Sequence, residues 1–152
     1  MPIWGWTMIV IADSNLIISG LYTPQGIVAK ILTSEKNIQF IAPDFIFKEI
    51  SNHFLRIQKE TGRTRIELKS KLDHLIQRIK FVPVTEIPMD HIHKAIEIVK
   101  DIDIDDTFFV ALHLYKKHKI WTGDRALING LAAKGYDIFI TTDELKSKLY
   151  KR

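Results

Sequence analysis

Four carboxylates stand where a folded chain can put them to use. Asp13 directly follows the apolar run Met8 to Ala12, Glu49 lies inside PDFIFKEI, Asp106 ends the run DIDIDD, and Asp124 closes WTGD. Two carboxylates about 4 Å apart repel by roughly 4 kcal/mol at an effective dielectric of about 20, so acids gathered without basic partners are a liability unless a cation joins them. The donors on offer are hard oxygens. The chain has no cysteine and the motifs carry no histidine pair, which points to Mg²⁺ or Mn²⁺ rather than zinc. A plainer role is open to each acid taken singly, because Asp105 or Asp106 before an apolar run can simply cap a helix.

The elements that position these acids can be read from periodicity. Met8 to Ala12 is a continuous β-branched and apolar run, the pattern of a central strand covered on both faces. Asn37 to Ala42 predicts a second strand, Phe81 to Val84 a third, His118 to Trp121 a fourth and Tyr136 to Thr141 a fifth; Pro83 assigns the third to a sheet edge. One helix starts at Pro24-Gln25-Gly26 and runs to about Ser34. The next begins at Pro43-Asp44, with Asp44 as N-cap and Ile46, Ile50, Phe54 and Ile57 as its apolar stripe; Glu49 lies about 100° from the stripe's centre, at the border of the buried face. Thr64 to Ile79 predicts a helix facing inward through Ile66, Leu68, Leu72, Leu75, Ile76 and Ile79, forming a helical hairpin with the one before it. Pro88 to Lys100 is another. After the acidic run, Phe108 to Leu112 and Leu114 cover nearly the whole circumference of a helix, which must therefore be buried. Asp106 falls in its first turn, where free N–H groups and the helix dipole favour the ionised form. A helix over Arg125 to Ala133 and a last one opened by the capping box Thr141-x-x-Glu144 complete the pattern. Strands alternating with helices predict an α/β domain around a mostly parallel sheet, and ligands of such sheets sit at the carboxyl ends of the strands, where strand order reverses.

Composition narrows the classes. The 152 residues suit a single domain, assigned here to residues 8–152, with residues 1–7 read as an appended extension because Met8 stands where an initiator would. Zero cysteines exclude a disulfide framework and thiol chemistry. No apolar run approaches the roughly 18 residues of a membrane span, and MPIWGWT lacks the features of a signal peptide, so a cytoplasmic protein without a membrane partner is expected. The net charge of +4 is mild, but Lys48 to Lys80 holds nine Lys or Arg against four Asp or Glu, leaving the remainder near neutral. Arg56, Arg63, Arg65 and Lys69 fall in that region, where a basic face can hold a sugar-phosphate backbone without reading sequence, or can merely be solvated. His91 and His93, two residues apart, point to different helix faces and read as surface residues.

Asp13-Ser14-Asn15 after a strand, Glu49 in PDFIFKEI, Asp106 in DDTFFVALHL and Thr122-Gly123-Asp124 resemble the spaced acidic motifs of PIN-domain nucleases, including the toxin ribonucleases of the VapC type, over about residues 8 to 142. The resemblance implies a three-layer α/β/α fold with a central five-stranded, mostly parallel sheet. It implies a metal-dependent endoribonuclease that hydrolyses RNA phosphodiester bonds with one or two Mg²⁺ or Mn²⁺ ions. Asp13, Glu49, Asp106 and Asp124 would be ligands and catalytic residues, with Asn15 and Thr122 as supporting polar groups. Of the acidic run, spacing to Phe109 and Ala111 favours Asp106 as ligand, with Asp103 one helical turn away as the next choice. Expected partners are an RNA substrate, a second copy in a homodimer and, if this is the toxin of a toxin-antitoxin pair, an antitoxin protein. Two other classes compete: a non-catalytic RNA- or protein-binding module of the same fold, and a receiver-type phosphoacceptor domain. The receiver fares worse, because it needs an acidic pair directly after the first strand and Asp13 is followed by Ser14-Asn15.

Overall fold

The structure, a computed structural model, describes residues 8–150; the N-terminal extension expected over residues 1–7 lies outside the described residues. β1 (Met8–Ala12) is the strand from which the sheet grows in both directions. It pairs in parallel with β2 (Ile38–Pro43) from Met8↔Ile38 to Ile11↔Ile41. On its other side it pairs in parallel with β4 (Ile120–Trp121) through Ile11↔Ile120 and Ala12↔Trp121. β3 (Ile79–Val82) adds to β2 and β5 (Phe139–Ile140) to β4, giving a five-stranded all-parallel sheet in the order β3-β2-β1-β4-β5. Strand order therefore reverses between β1 and β4, and this opens a crevice at their carboxyl ends. Val10, Ile11, Ala12, Phe40, Ile120 and Trp121 are all buried, as strands covered on both faces require.

Among the described residues, eight α-helices accompany the sheet. α1 (Ser14–Tyr22) follows β1 directly, so the apolar LIISGLY after Asp13 is helical. It packs against α2 (Ile27–Ser34), α3 (Ile46–Thr61) and α4 (Arg65–Ile76). Gly20 permits the approach of α4: a Cβ there would lie 2.9 Å from Leu75 Cδ2. α5 (Met89–Val99) packs on α6 (Thr107–Lys116), which lies against β1, β2 and β4. α7 (Arg125–Ala133) and α8 (Thr142–Tyr150) follow β4 and β5, and the expected capping box forms, with Glu144 N donating to Thr141 Oγ1 and Thr141 N to Glu144 Oε1, each at 3.1 Å.

Several boundaries differ from expectation. The third strand begins two residues early, so Ile79 belongs to β3 and not to the preceding helix; its edge position holds, and Pro83 lies just beyond it. Only Ile120–Trp121 and Phe139–Ile140 of the fourth and fifth runs pair as strands. Ile66 does not face inward but is 82% exposed. The buried stripe of α4 is Leu68, Leu72 and Leu75 at helical spacing, and Ile66 stands about 200° from Leu68. Asp44 does not cap α3; its Oδ1 accepts Val84 N at 3.0 Å and ties the start of α3 to the end of β3.

Candidate active site

The register Ala12↔Trp121 sets the residues after β1 and β4 side by side. Asp13, 4% exposed, and Thr122, wholly buried, meet there: Thr122 Oγ1 donates to Asp13 Oδ2 at 2.7 Å. The same hydroxyl accepts Asn15 Nδ2 at 3.3 Å and the backbone N of Asp124 at 3.1 Å. Thr122 is thus a hub whose one proton is committed to Asp13 and whose lone pairs hold Asn15 and the turn into α7. Asp124 is half-buried and caps α7, its Oδ1 accepting Leu127 N at 3.1 Å. Burial pushes the Asp13 carboxyl up; the Thr122 hydrogen bond pulls it back in part, and the Asp124 charge pushes further.

Asp106 and Glu49 enter from the other two sides. A 3-10 turn over Ile104–Asp106, capped by Asp103 Oδ1 accepting Asp105 N at 3.0 Å, leads into α6 and turns Asp106 inward, where it is 7% exposed. Glu49, in the first turn of α3, is half-buried at the border of that helix's apolar stripe, as its angle predicted. Asp106 is pushed up to about 8, by burial first and then by the charges of Asp13, Asp103, Asp124 and Glu49. Glu49 rises to about 7, chiefly by burial, with Asp13, Asp105 and Asp103 adding to it and the Ser14 hydroxyl opposing. These effects act against the helix dipole, which was expected to favour the ionised form of Asp106. Desolvation and four like charges outweigh a helix-end effect of roughly 0.3–1 kcal/mol, and the side chain makes no capping hydrogen bond.

Asp13, Glu49, Asp106 and Asp124 thus act on one another as a single charge cluster, with Asn15 and Thr122 inside it. Asp103 and Asp105 stand at the exposed rim, close enough to raise Glu49. Among the described residues no group of three or more Asp, Glu, His or Cys side chains is already posed to hold a metal ion. The donor set nonetheless fits a hard cation. Asn15 Oδ1, Glu49 Oε1 and Asp106 Oδ2 are buried acceptors without a hydrogen-bond donor. All are oxygens, and an uncompensated buried acceptor is costly unless something positive meets it. Ser14, 6% exposed, was not singled out in the sequence beyond its motif; its Oγ lies 3.4 Å from Asp13 Oδ1, and it also lowers Glu49, so it stands between two of the acids. Its position directly after a strand-ending aspartate was the signal.

The four basic residues do not form one face. Arg63 is half-buried, and its Nη1 donates to the carbonyl of Leu21 at 2.7 Å, so it closes the α3–α4 turn onto the end of α1. Arg56 pairs with Glu60 and Lys69 with Asp73 along their own helices, each at 3.2 Å, and Arg65 lies over the ring of Phe54. Arg65 and Lys69 flank a groove of about 450 Å³ between α3 and α4, lined also by Phe47, Phe54, Leu55 and Leu72.

The family model described as PIN domain matches residues 11–149, nearly the whole chain. No curated protein matches. Among solved structures, the chain is similar to that of VapBC2 from Rickettsia felis bound to a DNA fragment from their promoter, with a TM-score of 0.63 at 13% identity over 88% of this chain and 97% of that one. It is similar also to PAE2754 from Pyrobaculum aerophilum, with a TM-score of 0.63 at 12% identity over 96% of this chain and 97% of that one. At such identities these likenesses concern the fold. No described helix is long and apolar enough by itself to cross a membrane.

Proposed function

The chain belongs to the PIN-domain family, and on that premise we propose that it is a Mg²⁺- or Mn²⁺-dependent endoribonuclease. The observation that carries the reading is the cluster of four acids at the switch point, in which Glu49 Oε1, Asp106 Oδ2 and the neighbouring Asn15 Oδ1 are buried without a donor, and burial and mutual repulsion raise Glu49 and Asp106. Asp13, Glu49, Asp106 and Asp124 would hold the cation, with Asp103 at the rim. A bound divalent ion supplies positive charge to a phosphodiester passing through its transition state and makes water a stronger acid. The chain's own residues do the rest. Thr122 fixes one oxygen of Asp13 while Ser14 Oγ lies against the other; Asn15 donates to Thr122 and keeps a carbonyl oxygen without a donor; Ser14 can give its proton to either Asp13 or Glu49. Arg56, Arg65 and Lys69 would steady the sugar-phosphate backbone by charge, whereas Arg63 serves the fold.

A protein partner belongs to the same proposal, because the Rickettsia felis structure is of VapBC2 and the α3–α4 groove leaves Phe47 and Leu55 exposed. An antitoxin-like chain or a second copy that covers it would also cover Arg65 and Lys69 and so compete with RNA for them. The non-catalytic reading is less well supported: a domain that only binds has no reason to keep four acids whose repulsion costs stability. The test is a time course on mixed-sequence single-stranded RNA with Mn²⁺, Mg²⁺, Ca²⁺ or EDTA, using the protein with Asp13, Glu49, Asp106 and Asp124 all changed to Ala as contamination control. Cleavage with Mn²⁺ or Mg²⁺, little with Ca²⁺ and none in EDTA or the control is expected. Equal cleavage by the control, or none under any metal, refutes the nuclease.

A further inference from the structure

Phe45 and Phe108 face each other with ring centroids 4.9 Å apart and planes tilted by 52°, and both are only half-buried. Phe45 opens α3, where its carbonyl accepts the amide of Glu49 at 3.4 Å. Ring and carboxylate therefore lie one helical turn apart on one side of that helix. Phe108 follows Asp106 by two residues, in the first turn of α6. The pair thus bridges the two elements that bring Glu49 and Asp106 to the cleft, beside the carboxyl end of β2. Lys48 is exposed, and its Nζ lies over the Phe45 ring, 6.0 Å from its centre, so a cation on a flexible stem covers a face that a base could take by displacing it. Their mutual contact holds α3 to α6, and each ring keeps part of its surface accessible on the two elements that carry Glu49 and Asp106.

We propose that Phe45 and Phe108, with Lys48, form a platform on which an unpaired base of the substrate stacks while the phosphate next to it is held at the carboxylates. The inference rests on the ribonuclease reading and narrows it to RNA that is single-stranded at the cut. Every base has a π-face, so the platform orients a nucleotide without demanding a sequence. Lys48, on a flexible stem, would contact the neighbouring phosphate as a point charge. A second pair, exposed Phe47 with half-buried Phe81 at 4.5 Å, has Phe47 about 200° around α3 from Phe45 and serves as the internal comparison.

The platform is tested by equilibrium binding in Ca²⁺, which permits binding with little turnover, using fluorescence anisotropy of single-stranded oligoribonucleotides. One is intact, and the others each carry one abasic nucleotide at successive positions. In the wild type one position should be distinctive, with loss of its base weakening binding roughly 10-fold, the scale of one stacked base. In Phe45→Leu or Phe108→Leu the same omission should cost less than about 2-fold, because the stacking partner is already gone. Phe45→Tyr, which keeps a ring, should retain the full effect, and so should Phe47→Leu. Lys48→Ala should lower the slope of log affinity against log salt by about one. An abasic penalty of equal size in wild type and in Phe45→Leu, or no distinctive position at all, overturns the platform. If the Leu variants melt early, Phe45→Tyr and Lys48→Ala still decide, the first by losing the penalty and the second by an unchanged salt slope. Cleavage in Mn²⁺ without a distinctive base sinks the platform alone; a distinctive base with no cleavage sinks the nuclease alone.

Discussion

Changing Asp106 to Asn should make the metal-free protein more stable while abolishing cleavage. In the wild type the residue is 7% exposed, and its Oδ2 has no donor. Burial, then Asp13, Asp103, Asp124 and Glu49, raise it from 3.8 to about 8. The folded state binds this proton more tightly than the unfolded chain does, so the stability it confers is fully present below about pH 4 and lost as pH rises through about 8. At 1.36 kcal/mol per pH unit, the span from 3.8 to neutrality is roughly 4 kcal/mol for a dry site. Water entering past the half-exposed Asp124 and Glu49 brings this to about 2–4 kcal/mol. Asn has nearly the same shape and no charge to lose, so in EDTA its melting temperature should exceed the wild type's by roughly 4–15 °C at pH 7, with the gap widening toward pH 8 and closing toward pH 4. Melts followed by circular dichroism every half unit from pH 4 to 9 measure it. A gap that stays constant with pH, or a variant less stable than wild type at pH 8, refutes the electrostatic reasoning.

Thr122→Val, which keeps shape but removes the hub hydroxyl, should destabilise the fold by about 1–3 kcal/mol in urea titrations and raise the Asp13 carboxyl further, because one buried carboxylate oxygen and two donors lose their partner. Arg63→Ala should cost about 1–2 kcal/mol of stability by releasing the Leu21 carbonyl, with RNA affinity measured at matched folded fraction unchanged; a large loss of affinity with unaltered stability would return Arg63 to the binding surface. Arg65→Glu combined with Lys69→Glu should leave the fold intact and reduce the salt slope of RNA binding by roughly two, and an unchanged slope would place the RNA elsewhere. The affinity for Mn²⁺ should climb between pH 6 and about 8 as Glu49 and Asp106 give up their protons, and isothermal titration that finds it flat over that range contradicts the assignment.

The sheet and the place of the cleft were legible because they depend on patterns local to the chain. A β-branched run ending on Asp13, and a short apolar run ending on Thr122-Gly123-Asp124, say where two strands stop, and the register between β1 and β4 then brings their ends together. The placement of Glu49 at a helix border was legible for the same reason, as an angle computed from neighbours. What failed depends on tertiary surroundings. Ile66 looked like part of a stripe, but the stripe that α1 covers is Leu68, Leu72 and Leu75, and a lone isoleucine outside it costs little. Asp44 looked like a cap, but the chain returning from β3 offers it the Val84 amide. Arg63 looked like surface charge until α1 supplied a carbonyl. For Asp106 the dipole was the one effect visible in the sequence, whereas the desolvation that outweighs it arises only when α6 is pressed onto the sheet.

The most direct test of the central claim, that four acids at the switch point are one cation site, is a calorimetric titration of the metal-free protein with Mn²⁺ at pH 7 in buffers of different ionisation enthalpy. With Asp106 raised to about 8 and Glu49 to about 7, most molecules carry a proton on the first and about half on the second. Binding should therefore release between about one and two protons per protein at pH 7, falling toward zero by pH 9, because ligands must be ionised to hold the ion. Asp106→Asn should release about one fewer. Heats independent of the buffer, or the same binding in the protein with all four acids changed to Ala, would contradict the account.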